Sequence, residues 1–102
     1  SRGLGDVYKR QIISTILNAI GCQVEVEHML STGRIDIVAS TSRFIYVMEL
    51  KLANNGGIND AEKQIIDNGY LKPFFADTRK VIGLAVELDD MGKGLIDWKE
   101  VK

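Results

Sequence analysis

Three charged side chains that could act together stand in two neighbouring apolar segments of the sequence. Asp36 lies in the first segment, and Glu49 and Lys51 lie on either side of one leucine in the second. Successive side chains of a β-strand point to opposite faces, so Glu49 and Lys51 point to the same side. A turn at Ser42-Arg43 would set Asp36 opposite Glu49 across a β-hairpin.

Carboxylates that face each other across two strands repel, and cross-strand pairs contribute roughly 0.2–1 kcal/mol to stability. A divalent cation between Asp36 and Glu49 would remove this repulsion. Mg²⁺ is typically held by one or two carboxylates together with substrate phosphates, and Mn²⁺ is a possible substitute. The charges alone leave a second interpretation open, in which Arg34 and Lys51 neutralise the two carboxylates on a solvated sheet face.

The composition predicts one globular domain without membrane spans. The chain has 102 residues, 45% of them hydrophobic, and no apolar run approaches the roughly 18 residues of a transmembrane helix. Cys22 is the single cysteine, which excludes an internal disulfide and favours a cytoplasmic location. The net charge of -1 lacks the basic excess of most nucleic-acid-binding domains, so a nucleic-acid partner requires a local cluster of cations or help from another domain.

The first eleven residues resemble a sequencing artefact. Residues 6–11 read Asp-Val-Tyr-Lys-Arg-Gln, which is what the transposon end used in library preparation encodes when it is translated. We therefore predict that residues 1–11 are an adapter scar and that the domain spans residues 12–102, truncated at its N-terminus. The scar is excluded from functional reasoning.

Periodicity along the rest of the chain predicts an α/β domain with a mixed sheet. Apolar residues recur at helical spacing over 12–20, which predicts a helix whose apolar stripe packs on a sheet. A second helix over about 59–69 has Asn59 or Asp60 as its N-cap. Alternating or continuous apolar runs predict five strands, and the unit that crosses from the third to the fourth favours a parallel pair. The strands are predicted over Gln23–Leu30, 34–40, Phe44–Leu52, Lys80–Leu88 and Leu95–Val101. Two-residue turns would place Glu27 on the same face as Asp36, Glu49 and Lys51.

At these residues the chain resembles the PD-(D/E)XK nuclease superfamily, and within it the nuclease-like C-terminal domain of a group of bacterial AAA-ATPase-like proteins. Gly33-Arg34-Ile35-Asp36 falls on the motif aspartate, and Glu49-Leu50-Lys51 falls on the acidic-x-lysine motif. Gln64 and Tyr70 resemble the helix that follows the motif strand. The motif proline is replaced by Ile35. The resemblance implies a restriction-endonuclease-like fold, an antiparallel meander plus a parallel crossover flanked by helices.

The resemblance also implies a metal-dependent nuclease that hydrolyses phosphodiester bonds, with DNA as the expected nucleic acid. Asp36, Glu49 and the backbone carbonyl of Leu50 would bind Mg²⁺ or Mn²⁺, with Glu27 as an auxiliary acid. Lys51 would position or polarise the attacking water, and Gln64 would orient water or phosphate. The expected partners are an upstream ATPase domain and, if the enzyme cuts both strands with paired sites, a second copy of the chain.

Other interpretations of the same residues stay open. Gln64 is equally expected on the helix surface, Glu27 on an exposed edge, and Tyr70 in packing between helix and sheet. A catalytically silent interaction module attached to the ATPase would keep the fold without the activity, and the acidic charge supports it. A small regulatory domain that binds metal without a phosphodiester substrate is the remaining alternative.

Overall fold

The structure is a computed structural model that describes residues 4–102 and, within that range, the side chains of all residues except 4, 6 and 7. Residues 1–3 of the predicted adapter segment lie outside the described residues. Two α-helices, five strands and one short 3-10 helix follow one another along the described chain. In order these are α1 (Leu4–Ala19), β1 (Gln23–Leu30), β2 (Gly33–Ser40), β3 (Phe44–Leu52), α2 (Gly57–Asp67), the 3-10 turn (Lys72–Phe74), β4 (Lys80–Leu88) and β5 (Leu95–Val101).

The five strands form one mixed sheet in the order β1-β2-β3-β4-β5. β3 and β4 are parallel, and the other three neighbouring pairs are antiparallel. Parallel strands need a long crossover connection, and α2 with the 3-10 turn supplies it. The predicted mixed α/β sheet is confirmed, with the meander followed by the crossover.

The sheet separates two apolar cores. On the α2 side, buried residues of β2, β3 and β4 pack against Ala61, Ile65 and Tyr70. On the α1 side, Leu50, Val86 and neighbouring residues pack against Ile13 and Leu17 of the first helix. β4 contributes to both cores, as its continuous apolar sequence predicts for a strand covered on both faces.

The helix α1 begins at Leu4 and therefore runs through part of the predicted adapter segment. It ends where Gly21 adopts a left-handed conformation with φ 96°, and the Cys22 N–H donates to the Leu17 carbonyl at 3.0 Å, the geometry of a glycine C-cap. The prediction that the whole apolar stripe faces the sheet is wrong for Ile16 and Ile20, which are exposed. No helix within the described range 4–102 is long and apolar enough to cross a bilayer.

The start of α2 corrects the predicted N-cap. The helix begins at Gly57, so Asn59 and Asp60 lie inside its first turn and neither caps it. Instead, the carboxylate of Glu87 on β4 accepts the N–H of Ile58 at 2.9 Å. A cap supplied by a strand that lies later in the chain leaves no local signal in the sequence. The local pattern therefore predicts a helix start at Asn59 or Asp60 instead of Gly57.

A change of face occurs in the middle of the β1-β2 hairpin. On β1, Val24 packs in the α1-side core and Leu30 in the α2-side core. On β2, Ile37 lies on the α1 side and Ile35 on the α2 side. Strict alternation would keep the two members of each pair on one face, so both strands switch faces between them.

Glu27 and Asp36 lie at the point where the two strands change face. The paired register runs Val26↔Ile37 and then His28↔Ile35, so Glu27 and Asp36 stand opposite each other without pairing. The uninterrupted alternation behind the predicted common face therefore fails at this pair, although both carboxylates contact Arg10.

Glu87→Ala should lower the free energy of unfolding by about 1 kcal/mol, because the first turn of α2 loses its carboxylate cap. Glu87→Gln keeps an oxygen acceptor and should recover part of this loss. Urea denaturation followed by circular dichroism measures both changes. Glu100→Ala, at an exposed position of β5, is the matched control, and an equal loss in that variant would contradict the capping role.

Candidate active site

A cleft of about 550 Å³ opens between β2, β3 and α2. Its lining is almost entirely polar, and it contains the residues predicted from the sequence together with several that were not. The lining residues are Lys9, Arg10, Gly33, Arg34, Asp36, Glu49, Lys51, Asn55, Gln64, Asn68 and Tyr70. Asp36, Glu49, Lys51 and Gln64 therefore share one cleft, whereas Glu27 is outside this lining.

Asp36 and Glu49 are held side by side by reciprocal hydrogen bonds to the backbone. The Leu50 N–H donates to Asp36 Oδ2 at 2.9 Å, and the Asp36 N–H lies 3.4 Å from Glu49 Oε1. Backbone pairing of β2 with β3 reaches only as far as Ile37↔Met48. Beyond that pair the carboxylates take the N–H groups that a regular ladder would bond, and the two strands stay joined through the side chains.

Both carboxylates are almost completely buried, with Asp36 5% and Glu49 3% exposed. Burial, followed by the negative charge of Asp36, raises the pKa of Glu49 to about 8. A side-chain hydrogen bond to Asp36 contributes in the same direction, while the charge of Lys51 opposes the rise. Two buried acids in this arrangement favour the binding of a proton or another cation.

A cation already lies against the carbonyl predicted as a metal ligand. Lys9 Nζ donates to the Leu50 carbonyl oxygen at 3.2 Å, and Lys9 itself is buried. Arg10 Nη1 lies 3.4 Å from Asp36 Oδ1. Both cations belong to the predicted adapter segment, so no native role is assigned to either. Their positions show that positive charge fits against both Leu50 and Asp36.

The α2 side of the cleft is organised around Tyr70. This residue is fully buried, and its hydroxyl donates to the Arg34 carbonyl at 3.1 Å. Gln64 Nε2 and Asn68 Nδ2 each donate to the same hydroxyl at 3.2 Å. Tyr70 therefore ties the end of α2 to the start of β2 and fixes the Gln64 amide at the cleft.

Gly33 is required by this contact. A Cβ at Gly33 would come within 2.6 Å of the Tyr70 hydroxyl. The glycine of the Gly-Arg-x-Asp segment thus allows the ring to approach the strand that carries Asp36. The expected packing role for Tyr70 is confirmed, and the reason for the adjacent glycine is a finding of the structure.

Glu27 lies beside the cleft and is joined to it through arginines. Its carboxylate contacts Arg10 Nη2 at 2.9 Å and Arg34 Nη1 at 3.5 Å. Its side chain is 40% exposed, in contrast to the two buried acids. The structure therefore brings Asp36, Glu49, Lys51 and Gln64 together and leaves Glu27 at the margin.

Two lining residues were missed by sequence reasoning. Asn55 follows β3 in a loop, and Asn68 stands at the C-terminal end of α2. Asparagine is common in loops and at helix ends for local conformational reasons, which hides a role in a cleft. The signal available for Asn68 was its place between Gln64 and Tyr70, the two residues already associated with this helix end.

The sequence matches the PD-(D/E)XK nuclease superfamily over residues 5–98. The match covers most of the chain, and the chain therefore belongs to the PD-(D/E)XK nuclease superfamily. Membership points to a nuclease-type function, and the nucleases of this superfamily generally use divalent metals. A search of curated proteins gives no match.

The residues present fit a divalent metal held partly by substrate. In the part of the chain whose side chains are described, no three His, Cys, Asp or Glu side chains converge as a complete metal cage. Two buried carboxylates and one carbonyl are instead grouped at an open cleft. Mg²⁺ typically retains several waters and takes one or two carboxylates plus phosphate oxygens, which agrees with this donor set. The raised pKa of Glu49 gives the physical motive, because a cation would offset both burial and repulsion.

Glu49 should make metal-free stability depend on pH. Its pKa is raised from 4.5 to about 8 in the folded protein. Between these values the folded state keeps a proton that the unfolded chain releases, so the free energy of unfolding falls as pH rises. The slope should reach at most about 1.4 kcal/mol per pH unit, with the stabilisation fully present below pH 4.5 and lost through pH 8.

Urea titrations in EDTA at several values across this pH range measure the slope. Glu49→Gln removes the titrating group and should flatten it. Glu100→Gln changes an exposed glutamate of β5 and should leave the slope as in the unmodified protein. Parallel pH profiles for the unmodified protein and Glu49→Gln would show that the pair does not bind the proton.

Proposed function

We propose that this domain is a Mg²⁺-dependent nuclease that hydrolyses phosphodiester bonds of DNA, with Mn²⁺ as an alternative ion. The observation that carries the proposal is the burial of Asp36 and Glu49 side by side at the bottom of a polar cleft. Two charges removed from water and facing each other are costly unless a cation joins them. Membership of a nuclease superfamily supports phosphodiester hydrolysis over other uses of the same donor set.

Asp36, Glu49 and the Leu50 carbonyl would hold the metal. When bound, the ion would polarise the phosphate and lower the pKa of a coordinated water. The reciprocal backbone hydrogen bonds fix the two carboxylates before substrate arrives. Such preorganisation reduces the reorganisation needed at the moment of reaction.

Lys51 and Gln64 would act on the water and the phosphate. Lys51 lines the cleft and lies near enough to Glu49 for its charge to lower that residue's pKa. Its ammonium would position the attacking water and stabilise negative charge on the phosphate. The Gln64 amide, held by Tyr70, would orient water or a phosphate oxygen. Water adds its oxygen to phosphorus and releases a proton to solvent, the bond to the leaving oxygen breaks, and that oxygen takes a proton from solvent.

The proposal also includes two partners of this domain. An upstream ATPase domain would supply nucleic-acid affinity that a net charge of -1 does not provide. A second copy of the chain would place two sites for cutting both strands. A silent interaction module is the alternative candidate, favoured by the acidic balance of the chain.

Removing any of the three central side chains should abolish metal-dependent cleavage or lower its rate by at least about 10²-fold. Asp36→Ala and Glu49→Ala should lose Mn²⁺ binding in calorimetry and lose cleavage of plasmid DNA. Lys51→Ala should retain metal binding while its cleavage rate falls about 10²–10³-fold, as expected for loss of electrostatic stabilisation at the reacting phosphate. Lys99→Ala is the matched lysine control, because Lys99 pairs with Glu62 outside the cleft.

Each outcome separates the candidate functions. Metal binding without cleavage in the unmodified protein would favour the regulatory domain, and absence of both would favour the silent module. Equal cleavage rates for the unmodified protein and Lys51→Ala would reject the role of the lysine.

The double variant Lys9→Ala/Arg10→Ala should bind Mn²⁺ more tightly than the unmodified chain. Both cations lie on groups that the proposal assigns to the metal, so their removal frees ligands and removes repulsion. We expect an increase of about tenfold in affinity by calorimetry, equivalent to roughly 1.4 kcal/mol. Lys63→Ala/Lys72→Ala removes equal charge outside this cleft and controls for net charge. Weaker binding in Lys9→Ala/Arg10→Ala alone would show that the two residues support the site.

A further inference from the structure

Glu27 has a strained backbone in the middle of β1. Its φ is 59°, and among the residues described it is the one non-glycine residue with a positive φ. Glutamate rarely adopts this left-handed conformation, because its Cβ comes too close to the backbone carbonyl oxygen. Strain of this kind persists only where the surrounding structure enforces it, and it is found disproportionately at functional sites.

The strained residue stands at the point where the hairpin changes face. Pairing continues on both sides of it in one register, through Val26↔Ile37 and His28↔Ile35. The left-handed conformation of Glu27 exchanges the two faces of β1. β2 exchanges its faces at the same point, because the two strands stay paired on either side of it. Asp36, opposite Glu27, is thereby left without a backbone partner on β1.

This arrangement accounts for the unusual contacts of Asp36. Asp36 uses its carboxylate to bind the Leu50 N–H and directs its own N–H towards Glu49. A residue in a regular ladder would direct its side chain away from the sheet plane and could not reach a neighbouring strand's N–H. The distortion at residue 27 therefore brings the Asp36 carboxylate to Glu49 and the Leu50 backbone.

We propose that Glu27 positions Asp36 through its left-handed backbone conformation and is not a metal ligand. Its carboxylate is 40% exposed, is engaged by arginines, and lies outside the cleft lining. The local geometry depends on the φ of residue 27 and not on its charge. The metal-binding and cleavage readouts rest on the proposed function, whereas the geometry of Asp36 can be measured without metal.

Four substitutions separate conformation from charge. Glu27→Gly and Glu27→Asn remove the carboxylate but tolerate a positive φ, Glu27→Gln removes only the charge, and Glu27→Val opposes a positive φ. Hydrogen exchange of the Leu50 amide in EDTA reports the bond to Asp36 directly. Calorimetry with Mn²⁺ then reports the metal site, and urea denaturation reports stability.

The Leu50 amide should stay protected in the Gly, Asn and Gln variants, with Mn²⁺ affinity within about threefold of the unmodified protein. In Glu27→Val the amide should exchange faster, Mn²⁺ affinity should fall at least about tenfold, and the unfolding equilibrium constant should rise about tenfold. A fifth variant, Glu27→Ala, should have an unfolding equilibrium constant about fivefold higher than that of Glu27→Gly. Glu25→Val, at an exposed position of β1 whose carboxylate contacts His28 Nδ1 at 2.8 Å, is the control and should leave Leu50 exchange and Mn²⁺ affinity unchanged.

Equal losses of Mn²⁺ affinity in the Gln, Gly and Val variants would identify the carboxylate as a ligand and overturn the proposal. A Val variant that matches the unmodified protein in Leu50 exchange would also overturn it. If the unmodified protein neither binds Mn²⁺ nor cleaves DNA, the proposed function fails, and Leu50 exchange still decides the role of residue 27.

Discussion

The structure depends on two carboxylates that are buried against each other. Asp36 and Glu49 repel when both are ionised, and burial strengthens the repulsion because little solvent screens it. The fold tolerates the pair because each carboxylate accepts a backbone N–H at the point where β2 and β3 stop pairing. The acids are therefore part of the sheet's hydrogen bonding as well as the centre of the cleft. The raised pKa of Glu49 reflects the free energy that it costs to keep both carboxylates charged without a cation.

Two further contacts position α2, which forms the opposite side of the cleft. The carboxylate of Glu87 on β4 accepts the N–H of Ile58 in the first turn of α2, and this contact sets where the helix begins. Tyr70 anchors the other end to the carbonyl of Arg34 and holds Gln64 and Asn68. A helix fixed at both ends against the parallel pair of strands holds the amide of Gln64 in the cleft that contains the acids. Catalytic side chains on rigid elements are held more accurately than side chains on loops.

Sequence reasoning recovered the strands well because their signals are local. The predicted bounds of β1, β3, β4 and β5 agree with the structure, and β2 begins one residue earlier than expected. The hairpin register that sets Asp36 towards Glu49 followed from the position of the turn. Errors occurred where a distant group decides the outcome, as with the α2 cap supplied by Glu87. They also occurred at Ile16 and Ile20, since helical spacing alone does not say how much of an apolar stripe a sheet covers.

The sequence by itself determined the order of the elements, the type of each side chain in the motif and membership of the nuclease superfamily. Those properties depend on neighbouring residues or on short, recognisable spacings. Only the tertiary structure decided that Glu27 interrupts its strand, that Tyr70 joins α2 to β2, and how deeply the acids are buried. Strain, solvent exclusion and hydrogen bonding between distant segments depend on the packing of the whole domain, and no local pattern encodes them.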